Sequence, residues 1–320
     1  MNVNFHLGAH RCAAGHFQTY LELNEKRLAR AGICFWGPGR VGNGLFAGLL
    51  GNVAGGPSGL VQRSVGRIQL QLDHAQEGRA EHLIVTAPDL LGRMEHNFAT
   101  SSLYAGARPR LSRLAAAFGG RNLRIGLAIR SYETFWSSAL AERVARGYAL
   151  PRPDRLQCLA DQPRRWRYVV KDIARAIPEA EISVWTFEGI EAQHGHQFEA
   201  LTGAPPPSAM VLPQTPKLGR LSAESIGAIA AERGELALAK DIWSQPGTYQ
   251  PFDAAQSLKM RQDYAEDIDW LINGCDGLAT YFDPQSATDA GFPDVRGRQH
   301  DRQDRVGKPR HERTARARAG

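Results

Sequence analysis

Residues 8–18, near the start of the chain, combine the features of an anion-binding turn. The apolar segment NVNFHL before them predicts a strand, and the amphipathic segment after them predicts a helix. Amide groups in the first turn of a helix lack intrahelical partners, and the helix dipole makes the local potential positive. Small residues at Ala13, Ala14 and Gly15 allow a phosphate or sulfate to approach these amides, and Arg11 adds a cation beside them. The pattern predicts an anion site, although an ordinary glycine turn into a helix fits it too.

This turn differs from the Walker A pattern of nucleotide kinases and NTPases. Walker A requires a glycine, four further residues and then Gly-Lys-Ser/Thr. Ala13 stands where the second glycine would be, and Ala14 stands where the lysine would be. A nucleotide-dependent kinase or NTPase is therefore disfavoured.

Three titratable residues near the turn are candidates for proton transfer. His10 and His16 flank it, and either is a candidate base or sulfate ligand, because a histidine beside a helix N-terminus tends to stay neutral. Asp89 follows the apolar segment LIVT, which is a candidate buried strand, and is a candidate base. The alternative is that Asp89 is an N-cap or turn residue with a structural role. No metal site is expected, because His6 and His10 do not converge along a strand and turn and the four cysteines show no paired spacing.

The elements that must position these residues alternate between strands and helices. Strands are expected at residues 2–7, 33–36, 83–86, 123–129 and 181–187, and helices after the turn and at 109–118, 132–144, 166–177, 223–233 and 256–273. The glycine-rich residues 37–59 are expected to form a long loop or a broken helix. This order predicts a three-layer α/β/α fold with a central parallel sheet, and a ligand site beyond the carboxyl ends of its strands.

Composition and charge are those of a globular protein with a basic tail. The 320 residues are 42% hydrophobic and 22% charged, and no apolar run is long enough to cross a membrane. Residues 291–320 carry nine Lys or Arg against four Asp or Glu, so +5 of the formal net charge of +6 lies there. We expect one α/β domain over 1–288, a basic disordered tail over 289–320, and no specific nucleic-acid partner. The absence of a secretory signal predicts a cytoplasmic location.

Four segments resemble, in order and spacing, motifs of bacterial sulfotransferases that use the donor PAPS (3′-phosphoadenosine 5′-phosphosulfate). The segment GAHRCAAGHFQTYL resembles the family's opening GAHKTGTTxLQxxL. The segment LAIRSYETFWSSALAERVARG is similar to its second motif, in which a strand ends in Arg and a Ser follows eight residues later. The segments ISVWTFEGI and YQPFDAAQSLKMRQDYAEDIDWL resemble a later strand and a C-terminal helix of the family. The resemblance covers residues 2–282.

The resemblance implies a P-loop-containing nucleotide hydrolase-like fold of the sulfotransferase type. It also implies transfer of a sulfuryl group from PAPS, the donor substrate, to a hydroxyl or amine of a saccharide or small-molecule acceptor, without a metal. Carried over by position, the 5′-phosphosulfate is bound mainly by backbone amides at Arg11, Cys12, Ala13, Ala14, Gly15 and His16. The 3′-phosphate is bound by Arg130 and Ser138, and a planar guanidinium suits bidentate contact with phosphate.

The chain departs from the family's pattern at positions that carry chemistry. Arg11 replaces the loop lysine, and Cys12, Ala14 and Gly15 replace three threonines, so hydroxyl groups that would bind the donor are missing. Pro88 occupies the position of a glutamate in the bacterial motif Ser-x-Glu-Asn-Leu and cannot act as a base.

These departures leave Arg11, His10 and Asp89 as the candidate catalytic residues, with Asp89 one residue away from the lost glutamate. They also leave two functions open. The first is PAPS-dependent sulfuryl transfer. The second is a catalytically degenerate protein of the same fold that binds a nucleotide or another anion without turnover.

Overall fold

A computed structural model of the chain describes residues 1–51, 58–190, 194–214 and 221–283. The predicted tail, 289–320, and the last residues of the predicted domain, 284–288, lie outside the described residues.

The described strands form one sheet. They are Asn2–His6 (β1), Ile33–Trp36 (β2), His82–Thr86 (β3), Leu123–Ile129 (β4), Glu181–Thr186 (β5) and Thr280–Phe282 (β6). The order across the sheet is β2-β3-β1-β4-β5-β6, and every neighbouring pair is parallel. The predicted α/β class with a central parallel sheet is confirmed.

Helices connect the strands throughout. They are Ala14–Leu23 (α1), Glu25–Arg30 (α2), Pro38–Arg40 (α3), Ser58–Glu77 (α4), Met94–Thr100 (α5), Ala107–Ala116 (α6), Tyr132–Ala145 (α7), Pro153–Ala160 (α8), Trp166–Ala176 (α9), Phe187–Ile190 (α10), His194–Thr202 (α11), Ala223–Glu232 (α12), Leu236–Trp243 (α13) and Ala254–Ile272 (α14). A π-turn at Val41–Leu45 and a 3₁₀ turn at Cys275–Gly277 complete the described helical structure.

Apolar side chains cover both faces of the sheet. Leu83 and Val85 of β3 belong to a large core cluster, whereas Ile84 between them packs with Phe17 of α1 and Phe198 of α11. Successive side chains of a strand point to opposite faces, so the two clusters lie on opposite sides of the sheet. Because both faces are covered by helices, most strand residues are buried, including the polar residues Asn4 and His6 of β1.

The topology places a crevice between β1 and β4. The chain leaves β1 towards β2 at one edge of the sheet and leaves β4 towards β5 at the other. Connections that depart from adjacent strands in opposite directions open a space at the carboxyl ends of those strands. The segments that follow β1 and β4 carry the sequence-predicted site residues except Asp89, which follows β3.

Candidate functional site

The carboxyl ends of β1, β3, β4 and β5 meet at a cavity of about 330 Å³, here called the main cavity. Its lining includes the sequence-predicted residues His10, Arg11, Ala13, Ala14, Gly15, His16, Asp89, Arg130 and Ser138, together with Glu142 and Phe187. The structure thus brings together, at the β1/β4 crevice, residues that are up to 128 positions apart in the chain (His10 to Ser138).

The turn after β1 has a conformation that exposes backbone amides. Gly8, Arg11 and Ala13 have φ values of 99°, 60° and 58°, in the left-handed region. α1 begins at Ala14, and Ala13 at its N-cap position provides no side-chain acceptor. Ala14 and Gly15, in the first turn of α1, line the main cavity, and no side chain caps this helix start. This arrangement has the form of an anion site at a helix N-terminus.

Cys12 differs from the other predicted turn residues. Its side chain is 2% exposed and belongs to the core cluster, and it is not part of the cavity lining. Burial raises the pKa of the thiol well above its usual range, so the group stays protonated. A side-chain role for Cys12 in ligand binding is therefore not supported, and its small size serves packing beneath the turn.

Arg130 joins the end of β4 to the turn after β1. It is 4% exposed, and its Nη1 donates to the carbonyl oxygen of Arg11 at 2.7 Å. Its Nε donates to Thr134 Oγ1 at 3.0 Å, and its Cζ lies 4.3 Å from the ring centroid of Phe187. Arg130 is therefore buried at the border of the cavity and does not lie on the protein surface.

Arg11 is held by α7. Its Nε donates to Ser138 Oγ at 2.9 Å, and its Nη1 forms an ion pair with Glu142. Glu142 also pairs with Arg146 one turn further along the helix. The charge of Arg11 is therefore partly compensated by a carboxylate that itself lines the main cavity.

His10, Tyr104 and Asp89 form a hydrogen-bonded chain at the rim of the cavity. Tyr104 Oη lies 2.9 Å from His10 Nδ1 and accepts from the His10 backbone amide at 3.1 Å. His10 Nε2 lies 3.3 Å from Asp89 Oδ1. Burial raises the pKa of Tyr104 well above its usual value, so the phenol keeps its hydrogen. We assign that hydrogen to a bond towards Nδ1 and the imidazole hydrogen to Nε2, which donates to Asp89.

Asp89 sits in a turn with a left-handed φ of 65° and lines the main cavity. Partial burial raises its pKa, but the hydrogen bond from His10 and the nearby cations Arg93 and Arg110 outweigh this effect. The pKa of Asp89 therefore lies below its usual value, and the group is a carboxylate at neutral pH. Pro88, at the position of the family's glutamate, also lines the cavity but carries no titratable group.

A second, smaller cavity of about 120 Å³, here called the side cavity, shares Arg130 and Ser138 with the main cavity. Ser137 lines it, and its hydroxyl is buried without a partner among the described residues. Glu133 and Arg261 close another part of its wall through a bidentate ion pair with distances of 2.5 and 2.9 Å. The two cavities together surround Arg130 with polar groups.

Sequence reasoning missed Tyr104 and Glu142. Tyr104 lies 94 positions from His10, and no local pattern relates the two. Glu142 had a usable signal, because it follows Ser138 by four residues on a predicted helix and therefore shares its face.

The described part of the chain contains neither a cluster of metal ligands nor a helix suited to cross a membrane. Among residues 1–51, 58–190, 194–214 and 221–283, no group of three His, Cys, Asp or Glu side chains is arranged to hold a metal ion. In the same residues no helix combines the length and apolar character needed to span a membrane.

Comparison with known proteins adds no relative. No protein-family model matches the chain, and neither a curated protein nor a solved structure matches it significantly.

Proposed function

We propose that the main cavity binds PAPS and that the protein transfers its sulfuryl group to a hydroxyl or amine acceptor. One observation carries the proposal: the first-turn amides of α1 meet Arg130 and Ser138 at one cavity. That cavity lies where adjacent strands diverge, the usual place for a nucleotide in an open parallel sheet. A P-loop-like fold of the sulfotransferase type is part of this proposal.

The two anionic ends of the donor are assigned to different parts of the site. The 5′-phosphosulfate lies against the amides of Ala14 and Gly15. The 3′-phosphate lies between Arg130 and Ser138, next to the side cavity. Ser138 Oγ accepts a hydrogen bond from Arg11, so its own hydrogen remains available for a phosphate oxygen.

The proposed reaction is an in-line displacement at sulfur. The acceptor oxygen or nitrogen forms a bond to sulfur while the bond from sulfur to the bridging phosphate oxygen breaks. Adenosine 3′,5′-bisphosphate leaves, and the acceptor's proton passes to the carboxylate of Asp89. Arg11 stabilises the charge that develops on the leaving phosphate. His10 orients Asp89 through its Nε2 hydrogen.

The second candidate function, nucleotide or anion binding without turnover, has its own support. Both ring nitrogens of His10 already have partners, and Arg11 is paired with Glu142. The low pKa of Asp89 also makes it a weak base. A site with these pairings can hold an anion, but it lacks an unpaired group with a pKa near 7 that could accept the acceptor's proton.

Incubation with PAPS labelled with radioactive sulfur separates the two candidates. Sulfuryl transfer predicts equal amounts of labelled product and adenosine 3′,5′-bisphosphate when phenol, amine and saccharide acceptors are supplied. Asp89→Asn is expected to lower the rate by about 100-fold or more, a typical loss for a proton acceptor. Asp73→Asn, an exposed site on α4, is the matched control. Nucleotide binding with no product from any acceptor supports the second candidate. Absence of nucleotide binding contradicts sulfuryl transfer and the nucleotide-binding form of the second candidate.

A further inference from the structure

Two more cavities continue the candidate site along the side of α7. The first, of about 230 Å³, is here called the middle cavity. It shares His10, Arg11, Pro88, Asp89 and Glu142 with the main cavity. The ion-paired side chains of this border are 23–33% exposed, so the border is partly open to solvent.

The second, of about 540 Å³, is here called the outer cavity. It shares Glu95, Phe98, Arg143 and Tyr148 with the middle cavity. Together the middle and outer cavities form a groove between α5 and α7, which we call the α7 groove. It begins at the turn after β1 and ends against α8.

Arg143 is the central cation of the α7 groove. Its Cζ lies 4.9 Å from the ring centroid of Phe98 and 4.2 Å from that of Tyr148. The neighbouring carboxylate, Glu142, pairs with Arg11 and Arg146. Within the described ranges, Arg143 takes part in no ion pair. Two aromatic rings therefore restrict its guanidinium without neutralising its charge.

The backbone fixes the position of Tyr148. Gly147, with φ of 99°, ends α7, and the Tyr148 amide donates to the carbonyl oxygen of Arg143 at 3.2 Å. Arg233 donates to the Tyr148 carbonyl oxygen at 2.7 Å. These backbone contacts hold Tyr148 beside Arg143.

The outer cavity has a net positive and largely apolar lining. Its charged members are Arg143, Arg152 and Arg155 against Glu95. Arg152 pairs with Asp154 at 3.2 Å outside the lining, and Arg155 donates to the carbonyl oxygen of Phe98. The rest of the wall is apolar or aromatic and includes Phe98, Leu140, Tyr148, Leu150, Pro151 and Leu159. Such a wall favours a ligand with an apolar body, and the excess of arginine favours an anionic group on it.

We propose that the α7 groove binds the acceptor and that the acceptor is a hydroxyl- or amine-bearing molecule with an apolar ring or chain and a carboxylate or other anionic group that pairs with Arg143. The inference rests on the proposed function, since the groove starts at the Arg11 and Asp89 border where the sulfuryl group would be transferred. A neutral saccharide leaves Arg143 unpaired and gains little from the apolar wall.

The test is a set of titrations with two phenolic acids of different length, 4-hydroxybenzoate and 3-(4-hydroxyphenyl)propionate, and with their neutral amides. Each is run with and without adenosine 3′,5′-bisphosphate, and the nucleotide is titrated separately. At least one acid is expected to bind about tenfold more tightly than its amide, the effect of one charge-assisted contact. Arg143→Met is expected to abolish this ratio, Arg143→Lys to retain part of it, and Arg108→Met, an exposed site on α6, to leave it unchanged.

Equal affinity of acid and amide for both scaffolds, or a preference that survives in Arg143→Met, overturns the inference. Tighter binding of maltose than of either acid also overturns it. If Arg143→Met does not fold, the Arg143→Lys titration decides. The inference is overturned if this variant has the same ratio of acid to amide affinity as the parent protein and an unchanged affinity for the amide. Nucleotide binding without an acid preference overturns this inference alone. Failure of the nucleotide itself to bind overturns the proposed function and, with it, the acceptor role of the groove.

Discussion

The guanidinium of Arg130 donates a hydrogen bond to the carbonyl oxygen of Arg11, with 2.7 Å between the two atoms. This contact ties the end of β4 to the turn after β1 across a sequence separation of 119 residues. It also holds a buried cation next to the start of α1. An anion in the main cavity would therefore meet fixed amide dipoles and a fixed charge, without reorganisation of either.

Glu142 is expected to weaken anion binding, because its carboxylate lines the main cavity and compensates Arg11. Glu142→Gln should tighten binding of adenosine 3′,5′-bisphosphate by about tenfold, as loss of a nearby negative charge predicts. Stability should fall by no more than about 1 kcal/mol, since the ion pairs lost are partly exposed. Isothermal titration and chemical denaturation measure the two effects. Glu77→Gln, on the exposed part of α4, is the control, and unchanged affinity in Glu142→Gln would contradict the electrostatic account.

A negative charge introduced at Gly15 is expected to raise the stability of the protein and to weaken nucleotide binding. A Cβ added there meets no atom within 4 Å, so side chains are accepted. Gly15→Asp places a carboxylate in the first turn of α1 and should stabilise the protein by about 0.5 kcal/mol relative to Gly15→Asn. The same carboxylate occupies the anion position, so nucleotide affinity should be about tenfold lower than in Gly15→Asn. Thermal denaturation and calorimetry on this isosteric pair test both, and equal nucleotide affinities would argue against the first-turn site.

His6 should make stability depend on pH between about 4 and 6.5. Burial lowers the pKa of His6 in the folded protein to about 4, and the unfolded chain has the ordinary value near 6.5. Between these values the unfolded chain binds the proton first, so acidification destabilises the fold. The expected contribution is a loss of about 3 kcal/mol on going from pH 7 to pH 4.

Urea denaturation at a series of pH values measures this slope. His6→Gln should flatten it, although the variant loses the contact of His6 Nδ1 with Thr86 Oγ1 and starts from lower stability. His74→Gln, with an exposed imidazole, should leave the slope as it is in the parent protein. Identical slopes in the parent and in His6→Gln would contradict the assignment.

The described strands β1 to β5 were predicted, because they contain short apolar runs that end at turn residues, whereas the three-residue strand β6 was not. The predicted strand at 123–129 matches Leu123–Ile129, and those at 33–36 and 83–86 match β2 and β3 to within one residue. The broken helix expected within residues 37–59 appears as α3 and the turn at Val41–Leu45, interrupted at Gly44, and residues 52–57 lie outside the described ranges. Helix α4 was missed, although Val61, Val65, Ile68 and Leu72 recur along it at helical spacing and pack in the core.

The site was partly predictable because parallel strands bring their carboxyl ends together. That rule is enough to place Arg130 near the turn after β1. It cannot reveal that Arg11 turns to Ser138 and Glu142, or that Tyr104 contacts His10, because those contacts depend on side-chain packing between distant segments. The sequence also could not show that the Cys12 side chain lies in the core cluster, whereas the backbone contact assigned to Cys12 stays a prediction.

The central claim is that the β1 turn and Arg130 form one nucleotide site, and calorimetry with adenosine 3′,5′-bisphosphate tests it most directly. The parent protein should bind the nucleotide at micromolar concentration, and Arg130→Ala should weaken binding by about 100-fold or more, as loss of a buried charged contact predicts. Arg108→Ala, exposed on α6, should have no effect. No binding to the parent protein, or equal binding to Arg130→Ala, would contradict the account.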